Sequence, residues 1–120
     1  LFRTRASDYW DSHYNFNRAT ISKKPKVTGE ASVNNIIINV VIPFLFVYGE
    51  QQNITLLKDR ALDFLGKIPP ENNAIIRRWK KLGINPSSAL ESQALLQLKT
   101  HHCDKKKCLD CPVGNKILRL

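Results

Sequence analysis

At 120 residues, 42% hydrophobic and 24% charged, the chain has the size and balance of one globular domain. Its formal net charge of +9 and pI near 9.8 point to acidic partners, nucleic acid first among them, with a solvated basic surface as the ordinary alternative. Three cysteines, an odd number, exclude a complete disulfide framework and favour a reducing, cytoplasmic setting.

The opening "LFRTRASDYW" is basic but lacks the apolar stretch of a signal peptide. In "ASDYWDSHYNF" Ser7 is placed to cap a first helix, with Asp8 near the positive end of its dipole. His13, among aromatics and beside Asp11, reads as a packed and hydrogen-bonded histidine rather than a catalyst. "ISKKPKVTGE" follows as a polar connector.

The longest apolar run, "IIINVVIPFLFVYG" at Ile36–Gly49, has 14 residues. Asn39 and Pro43 interrupt it, and a membrane span needs ~20 residues, so no membrane role is expected. The run predicts a helix from near Ser32 to about Tyr48, kinked where Pro43 leaves the carbonyl of Asn39 without a partner. An element apolar on all sides is expected at the centre of the fold, fully buried.

Three clearer helices follow. In "NITLLKDRALDFLGK", Ile54, Leu57, Ala61, Leu65 and Ile68 recur at helical spacing, Asn53 is a candidate cap, and Asp63 can pair with Lys67 one turn on. Pro69–Pro70 then break the chain, with Pro70 suited to the first position of the next helix. That helix, "ENNAIIRRWKKLGI", carries an apolar stripe of Ile75, Trp79 and Leu82 and ends on Gly83–Ile84, the pattern of a left-handed glycine cap. In "NPSSALESQALLQLKTHH", Ser88 with Glu91 fits a capping box, and Leu90, Ala94 and Leu98 share a face. A short last helix is predicted from Pro112 to Leu118. The sum is an all-α domain over 1–120, a compact bundle of four to six helices with a kinked, buried central helix.

The chemistry-bearing stretch is the Cys-rich segment 101–114, "HHCDKKKCLDCPVG", before that last helix. Cys103, Cys108 and Cys111 with His101 or His102 would complete a Cys3His zinc set. The spacing also matches three of the four ligands of a plant-type iron–sulfur cluster, a less favoured cofactor. Helical phase restricts the histidines. At about 100° per residue His101 falls on the Leu90 face, roughly 200° from Cys103, so a site using His101 needs the helix to end by about Thr100. Redox use of Cys108 and Cys111 is a further option, although no βαβ pattern surrounds them. The ordinary alternative is three packed thiols, or a disulfide.

Two groups of basic residues stand out: Arg77, Lys80 and Lys81 opposite the Trp79 stripe, and Lys105, Lys106 and Lys107 between the cysteines. Both are candidate phosphate contacts. The helix-turn-helix pattern is weak, because the helix after the basic one carries almost no base-reading side chains. A phosphate-cradling glycine loop, a nucleophile elbow and paired carboxylates in an apolar setting are missing from the sequence, so no catalytic site is expected in it.

The stretches "YWDSHYNF", "NIIINVVIPFLFVYG", "ALDFLGKIPPENNAIIRRWKKLGI" and the Cys-rich ending together resemble the C-terminal region of an uncharacterised Bacteroidetes family, domain of unknown function 2851. The Cys-rich ending is the most specific part of this resemblance, which runs over nearly the whole chain. It implies a portion of a longer bacterial protein, whose N-terminal region would be a partner, and supplies no activity or functional residue. Two functions are therefore weighed: a non-catalytic accessory domain assisting nucleic-acid binding, and a structural domain docking the N-terminal part. A metal or redox role of the cysteines comes third.

Overall fold

The computed structural model describes residues 2–118. The chain is mainly helical, with a two-stranded sheet as the only sheet among the described residues. It divides into two compact units, Leu1–Val41 and Ile42–Leu120.

The first unit opens on a hairpin where a helix was expected. Asp8–Asp11 makes a single 3-10 turn, and β1 (His13–Asn15) then pairs antiparallel with β2 (Arg18–Ala19). Aromatic side chains favour the extended backbone, and Asn17 takes φ +58, the left-handed conformation a tight turn needs. Ser7 has an N-cap backbone, but its side chain caps nothing. His13 is packed and bonded as expected: its ring stacks on Tyr9 at 4.1 Å, and its Nδ1 lies 2.8 Å from the Tyr9 carbonyl oxygen. The connector supplies an organising cation. Lys26 Nζ donates to the carbonyls of Trp10 and His13, each at 2.6 Å, and lies 3.5 Å from the centre of the Tyr14 ring. α1 (Glu30–Ile36) runs into a π-helical turn, Ile37–Val41.

Helical backbone is continuous from Glu30 to Gln51, beyond both expected ends. The π turn falls just before Pro43, whose missing N–H removes a regular bond at this place. The 22-residue helix is long and apolar enough to cross a membrane by length and composition, because helical backbone extends past the 14-residue apolar run that set the shorter expectation. Full burial is not found. Ile38, Ile42 and Gly49 are buried, whereas Val40, Phe44 and Val47 are 61%, 69% and 52% exposed. A helix presents only one stripe to a neighbour, so an all-round apolar surface exceeds what one packing partner can cover.

In the second unit α2 (Ile42–Gln51) packs against α3 (Thr55–Lys67). Gly49 permits the approach: a Cβ there would lie 3.0 Å from Leu57 Cβ and from the Ile54 carbonyl oxygen. Asn53 does not cap α3. It takes φ +55 in the tight turn between the two helices, where the Ile54 amide donates to the Gly49 carbonyl at 2.8 Å. Along the stripe predicted for α3, Ala61 is fully buried and Leu57, Leu65 and Ile68 are half-buried, whereas Ile54, expected to share it, is exposed. Lys67 and Asp63 pair at 2.6 Å as expected.

α4 (Ala74–Lys81) starts after Asn73, whose side chain accepts from the Ile76 amide at 2.9 Å, so Pro70 lies outside it. The helix ends as its sequence predicts. Gly83 has φ +84, its amide donates to Lys80 at 3.0 Å, and the Ile84 amide donates to Trp79 at 3.1 Å. Ile76 is the fully buried side chain of this helix, whereas Leu82 is 73% exposed. α5 (Ala89–Leu98) is capped by Ser88, but Glu91 reaches back to the Ser87 amide at 2.6 Å rather than to Ser88. Its buried face is Ala89 and Ser92, not Leu90. Small side chains admit the incoming backbone here: the Ala89 amide donates to the Ile68 carbonyl at 2.8 Å, and Ser92 Oγ accepts from the Glu71 amide at 3.3 Å. After α5 comes a second π turn, Lys99–Cys103, and α6 (Pro112–Leu118) closes the described chain.

Candidate functional site

The cysteine segment is assembled by the end of α5 and the start of α6. Helical backbone does not stop near Thr100; it continues through Cys103 as a π turn. A π turn holds one more residue than an α turn, so side chains beyond it fall behind the regular phase by about one residue, or roughly 100°. His102 thereby takes the inward phase that a regular helix would give His101. His101 is exposed, with Nδ1 3.0 Å from Thr100 Oγ1, while His102 is half-buried. The expectation that His101 turns to the core is corrected on this ground. His102 Nδ1 is buried and has no hydrogen-bond partner among the described residues, a costly state for a ring nitrogen.

One small cavity, about 160 Å³, brings the segment together. Its lining includes Trp79 from α4, Leu98 from α5, His102, Cys103, Cys108 and Cys111. α6 supplies Val113, Gly114 and Ile117 to its wall. All three cysteines therefore share one cavity, with Cys111 buried and Cys103 and Cys108 exposed. Backbone bonds hold the loop between them: Asp104 to Lys99 at 2.9 Å, Lys107 to His102 at 3.0 Å, and Cys111 to Cys108 at 3.3 Å. Lys106 sits at φ +52 within it. No group of three or more His, Cys, Asp or Glu among the described residues is disposed to hold a metal ion.

The cavity also relates the two basic groups. Trp79 lies on the helix that carries Arg77, Arg78, Lys80 and Lys81, and Cys103 and Cys108 bracket Lys105, Lys106 and Lys107. All seven cations are exposed, and among the described residues none is ion-paired with a carboxylate. Lys99, by contrast, pairs with Asp104. Arg78 was not among the sequence candidates; its place beside Arg77 on a short, strongly amphipathic helix was the signal that could have found it.

No curated protein and no solved structure matches the chain. The family match ends at Ala74, the first residue of α4, so the cysteine segment, expected to be the most specific part of the resemblance, lies outside it. Residues 1–74, more than half of the sequence, match the family described as "Protein of unknown function (DUF2851)", and the chain belongs to that family.

Proposed function

We propose that the helical unit Ile42–Leu120 is a non-catalytic module that helps a longer bacterial protein hold nucleic acid by its phosphates. The observation that supports this reading is that Trp79, on the helix carrying Arg77, Lys80 and Lys81, lines one cavity with Cys103 and Cys108, which bracket Lys105–Lys107. Unpaired cations in one region repel one another, and a polyanion relieves that repulsion while releasing its own counterions. Arg77, Lys80, Lys81 and the three loop lysines make the phosphate contacts; no base-reading is assigned. The test is binding of labelled single- and double-stranded oligonucleotides across a salt series. Triple charge reversal, Arg77→Glu with Lys80→Glu and Lys81→Glu, lowers affinity by at least about tenfold at low salt, with thermal stability retained. Unchanged affinity of the folded variant, or binding indifferent to salt, overturns the reading.

A second reading has its own support. Phe44, Phe46, Val47 and Tyr48 on α2 are 69%, 39%, 52% and 45% exposed. Such a patch suits a protein partner, and in this reading the partner is the N-terminal region of the longer protein. Phe44→Asp would then release that region to protease without changing oligonucleotide affinity. Unchanged protease resistance overturns it.

A further inference from the structure

We infer that Cys108 and Cys111 are a reversible dithiol–disulfide site, with small-molecule disulfides as the oxidising substrates. The inference stands apart from nucleic-acid binding. The Cys111 amide donates to the Cys108 carbonyl at 3.3 Å, closing a four-residue turn. Such a turn holds its end Cα atoms within about 7 Å, and a disulfide spans roughly 4.4–6.8 Å between Cα atoms. Both residues line the same cavity, which places them around a common space. Gly114 fixes the arrangement from the α6 side, because a Cβ there would overlap the Cys108 carbonyl oxygen. The turn is therefore seated against the helix that follows Cys111.

Access divides the roles. Cys108 is exposed and meets the oxidant, whereas Cys111 is 5% exposed and is reached only by its neighbour. Lys105, Lys106 and Lys107, immediately before Cys108, attract an anionic disulfide such as glutathione disulfide. In the first step the Cys108 thiolate attacks one sulfur of the small disulfide. A mixed disulfide forms at Cys108 and one small thiolate leaves. In the second, the Cys111 thiolate attacks Cys108 Sγ, the Cys108–Cys111 bond forms, and the second small thiolate leaves. The two protein thiols lose two electrons and two protons, and the small disulfide is reduced to two thiols. Cys103 lines the same cavity and stays a thiol.

The full chain is equilibrated in glutathione–glutathione disulfide buffers of stepped potential, quenched by alkylation, and mapped by peptide mass. The wild type passes from three alkylated cysteines to one, with the link at Cys108–Cys111. Cys103→Ser forms the same link, and Cys108→Ser loses it. Since Cys103→Ser changes an exposed residue outside the pair, its map decides the matter even where Cys111→Ser fails to fold. A link that maps to Cys103, or three alkylated thiols at every potential, overturns the inference. So does one equivalent of bound zinc that keeps all three thiols reduced until a chelator removes it.

Discussion

Gly114 lies directly against the carbonyl oxygen of Cys108, so closely that any side chain at 114 would overlap it. This contact joins α6 to the cysteine turn through backbone alone. Gly114→Ala must push the helix or the turn aside, and overpacking of this kind costs about 1–3 kcal/mol. Gly66→Ala is the control. A Cβ at Gly66 meets nothing within 4 Å, and a helical Gly→Ala change stabilises by roughly 0.5–1 kcal/mol. Urea midpoints should therefore move in opposite directions for the two variants.

Ser92 is fully buried and ties two segments together. Its Oγ accepts from the Glu71 amide at 3.3 Å and donates to the Ala89 carbonyl at 3.0 Å. Ser92→Ala leaves the Glu71 amide unpaired, a loss of about 1–2 kcal/mol. The urea midpoint falls with an unchanged slope. An unchanged midpoint would mean that the amide finds another acceptor.

The two ends of α4 are set by different local chemistry. Asn73→Ala removes the side-chain oxygen that holds the Ile76 amide at 2.9 Å, and such caps contribute about 1 kcal/mol. Gly83→Ala places a Cβ at φ +84, which costs about 1–2 kcal/mol. Gly83→Asn costs less, because asparagine tolerates the left-handed region. The sites lie at opposite ends of one helix without a shared partner, so thermal denaturation of the double variant should give nearly the sum.

The proposed phosphate contacts can be counted. Each loop lysine that touches a phosphate adds about 0.9 to the slope of log affinity against log salt. Lys106→Gln should lower that slope by about one such step and weaken all sequences alike. A change in preference between oligonucleotides, with the slope intact, would assign Lys106 to base contact instead.

Local features were largely legible in the sequence. The glycine end of α4, the Ser88 cap, the Asp63–Lys67 pair and the central stripe of α3 each depend on residues a turn or less apart. The hairpin at His13–Ala19 was missed because its aromatic residues suit a helix face as well as a strand, and only the left-handed Asn17 decides between them. The buried face of α5 was misread for a different reason. Leu90 is more apolar than Ser92, yet the backbone at Ile68–Glu71 bonds to Ala89 and Ser92 and covers their face, which no periodicity within α5 reveals.

The candidate site divides along the same line. Sequence by itself determined the elements: three cysteines and two basic groups on known stretches, with helical backbone before and after them. Only the tertiary structure decided which of these residues meet. The π turn at Lys99–Cys103 shifted the phase, turning His102 inward and His101 out, and Trp79 of α4 came to line one cavity with the three cysteines. Helical phase accumulates one residue at a time, so a single widened turn changes every neighbour beyond it, and a regular 3.6-residue period applied to the sequence does not anticipate that shift.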